Sequence, residues 1–419
     1  MKEPFKWDHY SDQPYPLKDK VYKKRMRKKE LFSILKTFII SLLFLPFSLI
    51  MMPFVKRKQI NSQDFFCLGV DVEREPSLSV ELIEELQVKR VLIRIKLWDI
   101  ESLNAIKKFI LLLPNNKITL KILQDREHIE NHTLLEKNIE KIFSTLENLV
   151  DIFEIGSTIN RTKWGFFSVD EYSEFYKTIY TLKELRYPRI TLIGSGVIDF
   201  EYHFTAHTLL NFYNYSYDGL SALLYVDRRG APENTQLGFS LSDKIAWLST
   251  MIWLSPKSKQ VLHITETNWP ISHTAPYAPT SELECVSEEL YAEYMLRYYL
   301  LAFASQQVDS VSWHQLIAPG YGLVDNRDGI TIRSAFETYK FMVSTLRNAQ
   351  FLRLDIKRDY YILQCLVDEQ LLQIHWSLQP ITLKYEEHFE VFTKEGIKVN
   401  NETLQIGFSP LYIYIKTTV

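Results

Sequence analysis

VLHITETNWP, residues 261–270, is an apolar run that stops on Glu266 and gives way at once to Asn268, Trp269 and Pro270. A carboxylate delivered at the end of a buried strand is placed for chemistry. An isolated ITE is also what a helix cap or a loop glutamate looks like, so the surrounding sequence has to separate the two.

Seven other strand-like runs lie at 65–71, 91–98, 118–124, 151–156, 189–195, 220–226 and 310–315, interleaved with helical periods at 79–86, 134–149, 169–185, 243–249, 287–305 and 333–347. This alternation predicts an α/β chain with a (β/α)8 barrel over 62–348. Glu266 then ends strand seven, at the C-terminal face where such barrels carry their sites. Strand two is informative because side chains alternate along a strand. Val91, Ile93, Ile95 and Leu97 take the helix-covered face, which leaves Arg94 inside and near the top. A buried arginine needs an anion, and Glu266 is the expected partner. The long loop to about 280 is functional by its length. The helix at 287–305 carries Tyr291, Met295, Tyr298 and Ala302 on a packing stripe.

Beyond 349 the pattern changes to short alternating runs at 351–355, 360–367, 371–376, 381–384, 388–393 and 412–416, which predict a small antiparallel β-sandwich over 349–419. The other end is different again. Residues 1–30 form a polar tail ending in Lys23, Lys24, Arg25, Arg27, Lys28 and Lys29, and residues 37–55 carry no charge. The segment 31–58 has the length of a membrane anchor, and no small-residue cleavage site follows it. Pro46 and Pro53 leave a kinked or monotopic segment open beside a straight span. Tail and anchor are expected to lie outside the globular fold. The larger basic cluster favours a cytoplasmic tail and a barrel outside the cytoplasm, on a bacterial inner membrane.

With 49 Lys and Arg against 51 Asp and Glu, no nucleic-acid partner is indicated. The 24 Tyr and 8 Trp suit sugar rings as well as cores. Three cysteines cannot all pair, the ten histidines offer no ligand spacing, and the 13 glycines form no phosphate loop, so no metal or cofactor is expected.

Arg94 on strand two, the Phe153-Glu154-Ile155-Gly156 approach on strand four, Ile264-Thr265-Glu266 on strand seven and Ser312-Trp313-His314 on strand eight together resemble the clan A glycoside hydrolases, nearest the xylosidase and iduronidase branch. The resemblance implies Glu266 as nucleophile, Trp313 as a platform under the sugar and Tyr225 as a hydrogen-bond partner of the nucleophile. One departure stands out. The clan's Asn-Glu pair, whose Glu is the general acid, is replaced by Ser157-Thr158, and a hydroxyl cannot protonate a leaving alcohol near pH 7.

The substitute acid expected first is Glu201, with Asp199, His203, Asp227 and Asp325 near the same face; the alternative for Glu201 is a loop salt bridge to Arg228 or Arg229. Asn160, Arg161, Lys163 and Trp164 form a cationic, aromatic rim suited to an anionic glycan, and Trp269 joins Trp313 as a stacking surface. Two functions remain open: a glycosidase or transglycosidase acting on a cell-envelope glycan such as lipopolysaccharide, or an inactive barrel kept as a glycan-binding or scaffold module in envelope polysaccharide assembly.

Overall fold

The apolar runs pair side by side and in parallel into a closed barrel: β1 Phe66–Val70, β2 Arg90–Lys96, β3 Lys117–Leu123, β4 Ile152–Ile155, β5 Leu192–Ile198, β6 Gly219–Leu223, β7 Leu262–Thr267 and β8 Ser310–Trp313. The structure is a computed structural model that describes residues 1–227, 229–384, 389–400 and 403–415. Register aligns charged side chains inside the barrel. Arg94 on β2 faces Lys121 on β3, which faces Glu154 on β4.

Helices cover the barrel from outside. Of those that matter for the site, α3 is Val169–Arg186, α4 is Tyr202–Leu209, α5 is Leu241–Leu254 and α6 is Glu288–Ser305. Ser168 caps α3 by accepting from the Glu171 N–H, and Asp170 and Glu171 complement the positive helix start. On α6, Tyr291, Met295, Tyr298 and Ala302 are all buried, the expected packing stripe. The helix α4 has no counterpart among the expected elements, because at eight residues its periodicity is too short to read.

The C-terminal part is a six-stranded antiparallel sheet, Gln350–Lys357, Tyr360–Val367, Gln370–Ser377, Leu411–Ile415, Phe389–Phe392 and Lys398–Val399 in spatial order. The ribbon of Ile381–Lys384 with Thr403–Ile406 lies on it, and Leu404 and Ile406 pack against Val391 and Ile413 to form the second layer. The runs expected at 388–393 and 412–416 begin and end at His388 and Lys416, which lie outside the described residues. Trp376 joins sheet to barrel, donating its indole N–H to Glu233 at 2.8 Å, while Arg297 of α6 sits 3.4 Å from the same carboxylate.

The expectation for residues 1–58 needs correction. The basic tail is not free: it forms α1, Lys20–Lys29, preceded by a segment that runs over the barrel mouth. Trp7 packs on Trp98 and Trp164 with ring centroids 5.2 and 5.9 Å apart, and Phe5, Leu17 and Met26 are buried with Phe167. The apolar segment is α2, Leu31–Met51, and it packs along α4 and α5. It is one helix long and apolar enough to cross a membrane.

Candidate functional site

Glu266, next to last in β7, lies on the inner side of the barrel, and three neighbours hold it. Tyr225, just past β6, donates its hydroxyl to Glu266 Oε1 at 2.8 Å. Lys121 Nζ lies 3.7 Å from Oε2, and Arg94 adds positive potential, joined by His314 only at acid pH where its imidazole is protonated. Burial by itself would raise the carboxyl, yet these groups together bring it down to about 2. At neutral pH the His314 imidazole is itself uncharged, because burial holds its pKa at about 3. Lys121, Arg94 and the Tyr225 hydroxyl therefore keep Glu266 ionised.

Lys121 serves a second carboxylate. Glu154 Oε2 lies 3.4 Å from the same Nζ, and Thr265 donates to Glu154 Oε1 at 2.8 Å. The two glutamates thus lie within about 7 Å of each other, but Glu154 is fully buried beneath the site and off the cavity wall. Neither Lys121 nor the role of Glu154 was expected. The signal was present: a lysine interrupts the apolar strand KITLKIL just as Arg94 interrupts its neighbour.

Above Glu266 a cavity of about 140 Å³ opens between strand ends and loops. Arg94, Thr158, Arg161, Lys163, Trp164, Tyr225, Arg229 and His314 are on its wall, and Ser11, Asp12 and Gln13 of the N-terminal segment close one side. The expected pairing of Arg94 with Glu266 is corrected here. Arg94 Nη2 lies 3.7 Å from Asp12 Oδ2, and its Nη1 donates to the Asp12 carbonyl at 3.3 Å. Asp12 also takes Arg74 at 2.6 Å and the Tyr321 hydroxyl at 3.2 Å. Burial pushes the Asp12 carboxyl up against the opposing pull of Arg94 and Arg74. No periodicity marks Asp12, since it acts from a turn at a positive φ of 50°.

The expected rim divides. Lys163 faces the cavity and donates to Gln13 Oε1 at 2.5 Å; burial lowers its pKa to about 8. Arg161 reaches Asp199 at 2.7 Å and also pairs with Glu201. Asn160 is a strut, bonded to Ile198 O at 2.9 Å and to Glu201 at 2.8 Å, and it does not line the cavity. Glu201, the expected acid, is held by these two residues away from the wall. Its alternative partner Arg228 lies outside the described residues. Arg229 instead lies 4.1 Å over the Tyr225 ring and bonds Asn268 O at 2.8 Å. Asp325 is taken by Arg327 and Arg333 at 2.7 and 2.8 Å.

Two stacking residues are also corrected. Trp313 and Trp269 are fully buried, stacked on each other at 5.9 Å. Trp313 donates to the Tyr291 hydroxyl at 2.7 Å and Trp269 to Arg229 O at 2.8 Å. Both support the floor from behind, and the aromatic faces on the cavity wall are Trp164, Tyr225 and Tyr321. At the position where the sequence resemblance implies a general acid, Thr158 lines the cavity in a left-handed conformation, φ 53°, that a β-branched residue rarely adopts.

Buried histidines give the fold a pH signature. Burial lowers His263 and His375 to about 4 and His314 to about 3. The unfolded chain, with histidines near 6.5, therefore binds protons first as pH falls. Their contribution is complete above pH 6.5 and lost progressively below it. The depressed Glu266 adds a loss that begins only below its unfolded value near 4.5 and runs on toward 2. Burial raises the Asp12 and Glu154 carboxyls, which take up protons in the folded chain first and offset part of this loss. The melting temperature should therefore fall between pH 6.5 and 4 by less than the histidines alone would give; a rise across that range would contradict these assignments.

No family model and no curated protein sequence matches the chain. Its fold is similar to that of solved glycoside hydrolases. A family 39 glycoside hydrolase from Bacteroides cellulosilyticus is 15% identical with a TM-score of 0.62, covering 86% of this chain and 82% of that one. A family 39 β-xylosidase from Caulobacter crescentus is 11% identical with a TM-score of 0.56, covering 86% and 98%. A family 30 endoxylanase from Clostridium papyrosolvens is 8% identical with a TM-score of 0.56, covering 86% and 97%. At these identities the likeness is one of fold: a glycoside hydrolase-like barrel with a C-terminal β domain.

Proposed function

We propose that the chain is a membrane-attached glycosidase or transglycosidase acting on a cell-envelope glycan, with Glu266 as its nucleophile. The observation that carries this is an ionised glutamate at a barrel strand end, held by Tyr225 and Lys121 on the floor of a cavity lined by cations and aromatic faces. The carboxylate attacks the anomeric carbon as the bond to the leaving oxygen breaks, and the leaving group departs as an oxyanion that takes its proton from solvent. Water or a second sugar hydroxyl then attacks the glycosyl ester, giving its proton to solvent and restoring the Glu266 carboxylate. Arg94 and Arg161 on the wall are paired with Asp12 and with Asp199 and Glu201, which leaves Lys163 and Arg229 as the wall cations that favour an anionic group on the glycan. The apolar helix α2 supplies the membrane attachment.

One observation favours a second reading, that of a glycan-binding scaffold without turnover: Thr158 stands where the resemblance implies the acid, and Glu201 is committed to Arg161 and Asn160. Aryl glycosides with graded leaving groups separate the two. The enzyme reading expects rates that fall steeply as the leaving group worsens, since no carboxylic acid assists departure. Thr158→Glu should then raise turnover of the poorest substrates by ~100-fold, the low end of general acid catalysis. Binding of glycans with no turnover of any substrate, by either form, would leave the scaffold.

A further inference from the structure

At 21 residues and ~1.5 Å per residue, α2 could reach across ~30 Å of hydrocarbon. Its side chains are turned the other way. Ser33, Thr37, Ser41 and Ser48 are buried on one stripe against the barrel. Thr37 Oγ1 lies 2.7 Å from His207 Nδ1, Ser41 donates to His203 O at 3.3 Å, and Ser48 accepts the Trp247 indole N–H at 2.6 Å. Lys36 bonds Asp170 at 3.0 Å. Drawn into a bilayer as a span, the helix would carry Lys36 into hydrocarbon and leave Trp247 and His207 without these partners.

The outward face is apolar along its whole length: Phe32, Phe38, Leu42, Leu43, Phe47 and Ile50 are exposed, Phe32 by 79% and Leu43 by 72%. The patch continues onto the barrel. Phe212 is 97% exposed, and the ring of its neighbour Tyr213 lies 5.7 Å from Lys36 Nζ. Exposed cations sit at both ends, Arg25, Arg27, Lys28 and Lys29 on α1 and Lys56 and Arg57 beyond α2. A second copy laid on this face in either direction would set basic cluster against basic cluster. Anionic lipid headgroups meet both with attraction.

The geometry points to α2 as an in-plane anchor: its outer half lies in one leaflet of a bilayer bearing anionic headgroups, and the N-terminal segment and C-terminal sheet stay on the same side. The inference rests on the membrane attachment proposed above and specifies its form. It also sets the sugar cavity at headgroup level. The loop that supplies Arg161, Lys163 and Trp164 to the cavity also borders, through Thr162 and Phe167, a groove of about 690 Å³ shared with Ile34 and Phe38 of α2.

The test uses the full chain with Cys285→Ser and one new cysteine at a time, Glu3→Cys or Ile397→Cys, in sealed anionic vesicles probed with an impermeant maleimide. Both positions should label from the same side. Labelling from opposite sides means that α2 spans the bilayer, which overturns this inference and leaves membrane attachment standing. Flotation with phosphatidylglycerol-containing vesicles but far less with phosphatidylcholine alone is expected, and added salt should weaken it. Failure to float with either removes membrane attachment itself. Phe38→Glu with Leu42→Glu should cut the vesicle-bound fraction by about tenfold or more at an unchanged melting temperature; undiminished binding would overturn the assignment of this face.

Discussion

Glu266→Gln should abolish turnover of an activated aryl glycoside, by at least about 1000-fold, or about 4 kcal/mol of barrier at 1.36 kcal/mol per tenfold. The amide keeps the shape of the side chain and can still meet the Tyr225 hydroxyl, but it cannot form the glycosyl ester. The fold should survive at some cost in stability, because the substitution gives up the interactions that favour the charged Glu266 but leaves Lys121 its other carboxylate, Glu154. Steady-state kinetics beside a thermal melt checks both halves. A variant that keeps more than a tenth of the activity would remove Glu266 from the chemistry.

Lys121→Met should have the largest effect on stability. Its ammonium is the group that Glu154 and Glu266 share, at 3.4 and 3.7 Å, and it is 1% exposed. Breaking a buried ion pair by deleting one partner leaves uncompensated charge and costs about 3–5 kcal/mol. Part of that cost is avoided if one glutamate takes up a proton, so the Glu266 pKa should rise and the acid limb of the labelling rate should move to higher pH. Denaturant unfolding and a pH series measure the two effects. A loss under ~1 kcal/mol with an unmoved acid limb would show that Lys121 is not what holds Glu266 ionised.

What the sequence showed and what it hid follow from the range of the interactions. The eight strands and Glu266 were legible because a buried strand leaves a local apolar pattern, and at 261–265 that pattern stops on a carboxylate. Arg94 was legible by strand parity, which gives the direction of a side chain but not its partner. That partner, Asp12, comes from 82 residues upstream, through a turn with no periodic signature. The same limit explains Trp313 and Trp269. Strand position brought them to the right layer, but only packing against Tyr291 and each other decides that their faces are covered. For α2, hydropathy read the composition of the helix correctly and missed its sidedness. The Ser and Thr stripe at 33, 37, 41 and 48 is visible in the sequence as helical spacing, and reading it as an inward face would have placed the segment on the barrel.

The most direct test of the central claim is the mass of the intact protein after incubation with a panel of aryl glycosides bearing good leaving groups, uncharged and uronic. Wild-type protein should gain the mass of one glycosyl unit, mapped to the peptide that contains Glu266, and the adduct should be absent in Glu266→Gln. No adduct and no turnover across the panel, with glycans still bound in the cavity, would contradict a nucleophilic Glu266 and leave a binding barrel.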